Sequence, residues 1–456
     1  MIDKRLDSAE LITYVEQMQT RRIINARIVN ENQIQTGDLL IRNGRIESIA
    51  SSIEGSANET VFDAAGKLML PGMIDVHVHF REPGLEAKGT IASESRAAVA
   101  GGITSTMEMP NTKPAAVTLA ALEEKYTLAA ETSHTNYSFY LGASNHNLDE
   151  LLTLDPEWVC GVKLFLGSST GNLVVNREEQ IDQIFKQVKV PIALHCEVDQ
   201  IIRDNEQAAL EKYGEQIPFR EHGNIRSSEA CWLSTKEAVA RAKAYDTQIH
   251  ILHMTTAREL EFFEPSAVAD KKITVEACPH HLWFSEDDYD QLGSRIKCNP
   301  AIKTAADRKA LREALKTGLI DTVGTDHAPH LLDEKQHTYF KAPSGMPVVQ
   351  SALPVLFEFM TPEQIVQKTA HNPATIYQIA ERGFIREGYH ADLTLIDPDA
   401  PHTVSNENIL YHCGWSPFEG ITFSATVAAT FVNGQLAYHK GTPNESTRGM
   451  RLRFNR

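Results

Sequence analysis

The chain has 456 residues, of which 42% are hydrophobic and 23% are charged, and this is ordinary globular composition. The length predicts one large barrel-type domain, which commonly takes about 200–250 residues, together with a smaller domain. With 60 acidic and 44 basic residues, the formal net charge is −16, which argues against nucleic-acid binding because phosphates need a basic surface. No apolar run reaches the roughly 18 residues of a membrane helix, and residues 1–20 lack the apolar segment of a secretory signal.

The chain contains six scattered cysteines and no CxxC pair. Four of them lie in or beside apolar strand-like runs, which is typical of reduced, buried thiols. These four are Cys160, Cys196, Cys278 and Cys298. We therefore expect a cytoplasmic protein, since thiols stay reduced in that compartment.

The two ends of the chain have similar patterns. Residues 1–20 predict a short amphipathic N-terminal helix. Residues 21–69 and 378–445 contain short β-type runs, and the Asn-Gly pairs at 43–44 and 433–434 are typical of hairpin turns. Both ends therefore predict one small β-sandwich domain that flanks the middle of the chain.

The middle of the chain, residues 70–377, alternates buried strands with helical stretches. The eight predicted strands are 72–76, 102–107, 136–141, 160–166, 190–194, 248–252, 273–278 and 320–324. Most are continuous apolar runs, as expected of strands that are covered on both faces. Eight such units predict an α/β fold of the (β/α)8 TIM-barrel type, with the long polar segment 196–230 as an excursion over the active face.

Polar residues interrupt these strands at their carboxyl ends, where barrel enzymes place catalytic side chains. His77 and His79 are two residues apart, so both imidazoles point to the same side of the first strand. His195, His253 and Asp326 end the fifth, sixth and eighth strands. The alternative is a set of structural, hydrogen-bonded histidines. As ligands, they are too many for one tetrahedral zinc and suit two metals about 3.5–4 Å apart, bridged by hydroxide.

Lys163 lies within the apolar run GVKLFL, where a charged ammonium without a partner is costly. One interpretation is that the side chain reaches the rim of the barrel with its charge in solvent. The other is that the desolvated lysine loses its proton, and the neutral amine takes up CO₂ as a carbamate. The two oxygens of such a carbamate can bridge two metals.

Asp326 lies in GTDHAPH, directly after an apolar strand. A carboxylate there can bind one metal and act first as general base and then as general acid, although it is also suited to cap a following helix. His280 and His281 follow the seventh strand. Because we expect neighbouring side chains on an extended segment to point to opposite sides, we interpret this pair as structural or as supporting the ligands.

A series of motifs resembles the dihydroorotases of the cyclic amidohydrolase family, over residues 30–440 and in family order. The opening IDVHVHFREPGLEAKGT (74–90) resembles their metal-binding segment. The others are MPNT (109–112), GVKLFLGSSTG (161–171), ALHCE (193–197), HILHMTTAREL (250–260), TVEACPHHLWF (274–284), NPAIKTAADR (299–308), GTDHAPH (324–330), HNPATIY (371–377), ADLTLID (391–397) and GWSPFEG (414–420).

The resemblance implies a ligand set for two zinc ions per chain. In it, His77, His79 and Asp326 bind the first zinc, and His195 and His253 bind the second. Carboxylated Lys163 and a hydroxide bridge the two ions. Some bacterial dihydroorotases use an aspartate in place of the modified lysine.

The resemblance also implies a set of substrate-binding residues. Arg81, Asn111 and His330 hold the substrate carboxylate, and Asn299 contacts the pyrimidine ring. An arginine offers a planar fork that matches a carboxylate, although taken alone Arg81 also suits a structural salt bridge. NPAIK (299–303) stands where NPPLR is commoner in the family.

The function implied is a dihydroorotase, which interconverts L-dihydroorotate and N-carbamoyl-L-aspartate in pyrimidine synthesis. Alternatives are a hydantoinase (dihydropyrimidinase), an allantoinase or a non-catalytic scaffold subunit; the long segment 196–230 is more typical of hydantoinases. We expect a small-molecule substrate, no nucleic-acid or membrane partner, and a homodimer or larger homo-oligomer, with association with a pathway enzyme left open. The loop at 341–345 is expected to help close the pocket.

Overall fold

The computed structural model describes residues 20–167 and 173–456. The predicted N-terminal helix lies outside the described residues except for Thr20, which already begins a strand. All six cysteines are free thiols, and five of them are buried. Within the described ranges, no helix has both the length and the apolar character that a membrane crossing requires.

Eight parallel strands form a barrel, and they coincide with the eight predicted runs. They are β6 (Met73–Val78), β7 (Ile103–Glu108), β8 (Asn136–Gly142), β9 (Gly161–Phe165), β10 (Ile192–His195), β11 (Ile249–Ile251), β12 (Ile273–Ala277) and β13 (Thr322–Val323). They are hydrogen-bonded in sequence order from β6 to β13. A bridge between Val78 of β6 and His327, in the segment that follows β13, closes the ring, so the predicted α/β barrel is confirmed.

A buried carboxylate reinforces this closure. Asp75, on β6, is fully buried and accepts hydrogen bonds from the backbone N–H of Thr325 (2.9 Å), its hydroxyl (2.6 Å) and the N–H of His77 (3.2 Å). Burial raises the pKa of Asp75 to about 7. The first strand is therefore tied to the segment after the last strand, and His77 is placed close to Asp326.

Helices follow the strands around the barrel. They are α1 (Ile91–Ala100), α2 (Leu119–Thr132), α3 (Leu148–Leu152), α4 (Glu178–Gln187), α5 (Asp199–Tyr213), α6 (His222–Ile225), α7 (Ser228–Tyr245), α8 (Pro279–Trp283), α9 (Tyr289–Leu292), α10 (Ala305–Thr317), α11 (Leu332–Lys335), α12 (Ala352–Phe357), α13 (Pro362–Val366) and α14 (Asn372–Tyr377). The predicted excursion at 196–230 contains α5, α6 and the start of α7. A π-helical turn, Gln367–His371, joins α13 to α14.

Strand periodicity separates the outside of the barrel from its interior. Val162 and Leu164 pack in the large core that includes the surrounding helices. Because side chains alternate along a strand, Lys163 between them faces the barrel interior. The same alternation on β10 places Leu194 in the outer core and turns His195 inward.

The remaining strands form a separate β unit from both chain ends. They are β1 (Thr20–Asn30), β2 (Gln33–Arg42), β3 (Arg45–Ala50), β4 (Glu59–Asp63), β5 (Leu68–Pro71), β14 (Leu393–Asp397), β15 (His402–Thr403), β16 (Thr422–Phe423), β17 (Thr426–Val432), β18 (Gln435–His439) and β19 (Thr442–Pro443). Nine of them form one sheet in the order β19-β18-β17-β14-β5-β1-β2-β3, with β4 beside β1, and β15 pairs with β16.

Both Asn-Gly pairs form the predicted hairpin turns. At 43–44 the φ angles are 52° and 76°, and at 433–434 they are 49° and 75°. Two consecutive positive φ angles define the turn that best matches strand twist, and Asn-Gly adopts it at little cost. The sheet has its own apolar core, to which Ile28, Leu393 and Phe431 contribute. The boundaries at 21–69, 70–377 and 378–445 stay predictions.

Candidate active site

All ten residues that the sequence analysis assigns to the site line one cavity of about 390 Å³. They are His77, His79, Arg81, Asn111, Lys163, His195, His253, Asn299, Asp326 and His330. The residues are spread over 254 positions of the chain, from 77 to 330, and meet because the barrel brings the ends of its strands together at one edge.

His77, His79 and Asp326 form one compact group. Oδ1 of Asp326 lies 3.2 Å from Nε2 of His77 and 3.0 Å from Nε2 of His79. The opposite ring nitrogens are hydrogen-bonded: Nδ1 of His77 donates to Glu276 (2.8 Å), and Nδ1 of His79 donates to the side-chain oxygen of Asn111 (2.7 Å). In the neutral rings, this leaves both Nε2 lone pairs directed at the carboxylate.

His195 and His253 form a second pair across the same cavity. Nε2 of His195 donates to Glu197 (2.8 Å), so Nδ1 of His195 carries a lone pair, and this atom lies 2.9 Å from Nε2 of His253. Burial lowers the pKa of both histidines, that of His253 to well below its usual value. Neutral imidazoles are the form that binds metals.

Both groups fit divalent metal ions. Nitrogen and oxygen ligands bind zinc at about 2.0–2.2 Å, so two ligands of one ion are at most about 4.4 Å apart. The separations of 2.9–3.2 Å in the two groups fall within this limit. Lone pairs and carboxylate oxygens that face one another repel unless a cation or a proton lies between them.

The pKa shifts of His77, His79 and Asp326 show the same need for positive charge. Burial alone lowers the pKa of His77, but Asp326 and Glu276 outweigh it and raise this pKa to about 9. Burial lowers the pKa of His79 to about 4. Burial raises the pKa of Asp326, yet the two histidines hold it well below its usual range. A proton on His77 therefore supplies the charge that a metal would supply.

Two buried glutamates orient the histidines, and neither was among the predicted site residues. Glu276 lies in the strand run ITVEA and accepts from His77, and Glu197 follows His195 by two positions. Arg226, from the 196–230 segment, pairs with Glu197. Burial raises the pKa of each glutamate, but the pairing with His77 and with Arg226 outweighs burial and lowers both to about 2. A charged residue inside an apolar strand was the available signal for Glu276.

Lys163 is 1% exposed and lies on the cavity wall. Its Nζ is 4.6 Å from the ring centre of Phe165, and within residues 20–167 and 173–456 it forms no ion pair. Burial lowers the pKa of Lys163 to about 8. The interpretation that its charge reaches solvent is therefore wrong, because the side chain is enclosed.

Three residues of the cavity have left-handed backbone. The φ angles are 77° at Arg81, 38° at His253 and 48° at Asp326. Residues other than glycine rarely adopt such angles, and each costs about 1–3 kcal/mol. Strain of this kind concentrates at functional sites, where the surrounding structure holds it in place.

Arg81 presents donors to the cavity and lies beside His330. Nε of Arg81 donates to the carbonyl of Pro329 (2.9 Å), and Nη2 lies 3.1 Å from Nε2 of His330. The ammonium of Lys88 can only donate, so Nδ1 of His330 accepts from it (3.0 Å), and Nε2 then carries the proton that bonds to Ser344 (3.0 Å). An anion beside Arg81 would therefore meet the guanidinium donors, whereas the single N–H of the neutral His330 ring is already bonded to Ser344.

The two asparagines differ in their surroundings. The side-chain oxygen of Asn111 is already used by His79. The side-chain oxygen of Asn299 is buried and has no hydrogen-bond partner in the described part of the chain. Asn299 therefore offers an acceptor to a ligand with an N–H group, whereas Asn111 has its amide donor to offer.

The cavity wall also includes residues that the sequence analysis did not assign to the site. Arg226, Lys297 and Phe165 line it, as do Phe340 and the loop Ala342–Gly345. The ammonium of Lys297 donates to the carbonyls of Tyr339 (2.6 Å) and Ala342 (2.7 Å), which holds this loop over the cavity. This position agrees with the expectation that the loop at 341–345 helps to close the pocket.

The amidohydrolase family model matches residues 68–437, the range that carries this entire cavity. The chain belongs to the amidohydrolase family. Dihydroorotase of Halobacterium salinarum is 34% identical over 407 residues, which are 88% of this chain and 92% of that protein. Dihydroorotase of Staphylococcus epidermidis is 30% identical and covers 92% of this chain and 99% of its own length. The resemblance to dihydroorotases is thus confirmed.

Solved structures of other amidohydrolases share the fold. L-hydantoinase (dihydropyrimidinase) from Arthrobacter aurescens superposes with a TM-score of 0.88 at 24% identity, over 94% of this chain and 98% of its own. D-hydantoinase (dihydropyrimidinase) from Thermus sp. has a TM-score of 0.87 at 22% identity, over 95% and 99%. At this identity the likeness concerns the fold alone.

Proposed function

We propose that this amidohydrolase is a dihydroorotase, which interconverts L-dihydroorotate and N-carbamoyl-L-aspartate in pyrimidine synthesis. The observation that carries the proposal is the Arg81 guanidinium, which shares one cavity with the histidine groups and meets no carboxylate within hydrogen-bonding distance among the described residues. Dihydroorotate carries an exocyclic carboxylate, whereas hydantoin and dihydrouracil do not. The dihydroorotase relatives at 30–34% identity support the same substrate.

The proposed cofactor is a pair of zinc ions. His77, His79 and Asp326 would hold one ion, and His195 and His253 the other, with Lys163 as a carbamate between them. When bound, such ions polarise a carbonyl and lower the pKa of water. The enclosed Lys163 amine, which forms no ion pair with a described residue, supports the carbamate.

Asp326 is the proposed proton carrier. Ring opening adds the oxygen of water to the amide carbon and breaks the bond from that carbon to the ring nitrogen. Asp326 is ionised at neutral pH, because His77 and His79 hold its pKa well below the usual range, and its carboxylate lines the cavity, where it would take the proton of the attacking water. It then gives that proton to the departing nitrogen.

The substrate would be held at its two ends. Arg81 would donate to its carboxylate, since an arginine fork suits two carboxylate oxygens, and His330 would have to exchange its bond to Ser344 for one to the substrate. The unpartnered oxygen of Asn299 would accept from a ring N–H. Asn111 would contribute its amide donor while its oxygen keeps His79 in place.

Replacing Lys163 tests the bridge. Lys163→Ala should lose about two divalent ions per chain relative to the wild type, together with the activity, because each ion would lose a shared ligand. Metal analysis and steady-state rates measure both, with the exposed Lys316→Ala as control. Full metal content and activity in Lys163→Ala would show that Lys163 is not the bridge.

Replacing Asp326 tests the proton carrier. Asp326→Asn keeps an oxygen that can bind metal but cannot accept a proton, so kcat should fall about 10²–10⁴-fold. The measurement is kcat at saturating dihydroorotate with metal content determined on the same sample, and exposed Asp333→Asn is the control. A metal-loaded Asp326→Asn with a wild-type kcat would assign the base elsewhere.

The substitution Arg81→Ala tests whether the substrate carries a carboxylate. Loss of a charged hydrogen bond of about 1.5–3 kcal/mol should lower kcat/KM for dihydroorotate at least about tenfold. Residual turnover of dihydrouracil or hydantoin should not change, since these rings lack the carboxylate. Arg81→Lys should recover part of the loss, because an ammonium cannot reproduce the fork. An equal loss for charged and neutral rings would remove the argument for dihydroorotate.

A further inference from the structure

A second group of side chains that could hold a metal ion lies outside the lining of the cavity. Cys278 directly follows β12, and His280 and His281 lie on α8. One ligand atom from each of the three lies within 4.8 Å of the others, and all three residues are buried. None of them lines the cavity that holds the ten site residues.

The two histidines do not point to opposite sides, so that expectation is wrong. Pro279 begins a helical turn, and the turn brings the ring centres of His280 and His281 within 4.2 Å of each other. An extended segment would have separated them. The helical turn therefore brings the side chains of His280 and His281 together with Cys278, which the sequence pattern did not predict.

The histidines carry buried nitrogen atoms without partners. Nε2 of His281 lies 3.0 Å from the carbonyl of Pro300, so this nitrogen carries the proton and Nδ1 carries the lone pair. Among the described residues, Nδ1 of His281 and both ring nitrogens of His280 have no hydrogen-bond partner. His280 is 0% exposed. Each unpartnered buried group costs about 1–3 kcal/mol, so a bound species at this point is expected.

The donor set defines the class of that species. One sulfur and two imidazole nitrogens suit zinc or a similar thiophilic ion, and not the oxygen-seeking ions magnesium and calcium. Burial lowers the pKa of His280 to about 4 and that of His281 still further, so both rings stay neutral. We propose that Cys278, His280 and His281 bind a zinc-like ion in addition to the ions of the active site. The sulfur of Cys278 also lies within 4.8 Å of ligand atoms of His77 and Glu276, so this ion would be close to the active site.

This ion would stabilise the group that orients His77. The thiol of Cys278 lies 3.7 Å from the same oxygen of Glu276 that accepts from Nδ1 of His77 (2.8 Å) and from the backbone of His253 (3.1 Å). On binding, the thiol proton leaves to solvent and the sulfur bonds to the ion. Oε1 of Glu276 then keeps only the bonds to the two histidines, and the end of β12 is held in place.

Cobalt substitution tests this site in the full-length protein. The proposed active-site ligands include no cysteine, so a thiolate-to-cobalt charge-transfer band in the near ultraviolet would report the second site. The Co²⁺-loaded wild type should show this band, and Cys278→Ser should lose it together with about one ion per chain. Cys160→Ser is the matched control, since Cys160 is equally buried and is absent from the candidate donor groups.

Two outcomes of the cobalt experiment would overturn the proposal. A cobalt-loaded wild type without the band means that no cysteine binds the metal, and a band that persists in Cys278→Ser assigns it to another cysteine. If Cys278→Ser does not fold, His280→Ala must change the band. Loss of dihydroorotate turnover in Lys163→Ala is a separate outcome, so failure of either site is distinguishable from failure of the other.

Discussion

The buried carboxylate of Asp75 is the contact on which the arrangement of this molecule depends. It joins the first barrel strand to Thr325, 250 residues further along the chain, with two hydrogen bonds to one residue and a third to His77. The contact therefore fixes the backbone on both sides of the point where the first barrel strand meets the segment after the last one, which we call the barrel seam. His77 and Asp326 lie beside that seam, so the contact that closes the barrel also sets the distance between them.

The polar groups of the cavity are arranged in pairs of an inner and an outer residue. His77 is held by Glu276, His79 by Asn111, and His195 by Glu197. Each outer residue accepts from one ring nitrogen and leaves the other nitrogen as a lone pair that faces the cavity. In the neutral rings these lone pairs and the ionised Asp326 repel one another, so the group needs a positive charge, which a proton on His77 supplies in the absence of a metal. This need is the physical basis of the proposed metal centre.

The sequence predicted the barrel and the inner residues because both follow from short-range patterns. Apolar runs of five to seven residues marked the strands, and a histidine or an aspartate at the end of such a run marked the cavity. The alternation of side chains along a strand was sufficient to direct His77 and His79 to one side.

The outer residues could not be predicted in the same way. The bond between His77 and Glu276 spans 199 residues, and the ring nitrogen that donates depends on which strands become neighbours across the barrel. His280 and His281 were misjudged because a proline converted an extended segment into a helical turn. Burial of Lys163 likewise depends on the helices and loops that cover the barrel, and these are remote in sequence.

The central claim is that Arg81 and the histidine groups together select a cyclic amide that bears a carboxylate. The most direct measurement is kcat/KM of the metal-loaded protein on a substrate panel of dihydroorotate, carbamoyl aspartate, dihydrouracil, hydantoin and allantoin. The account predicts turnover of dihydroorotate and of carbamoyl aspartate at least about tenfold above any neutral ring, because one charged contact of about 1.4 kcal/mol already gives this ratio. Hydantoin or dihydrouracil turned over as efficiently as dihydroorotate would contradict it.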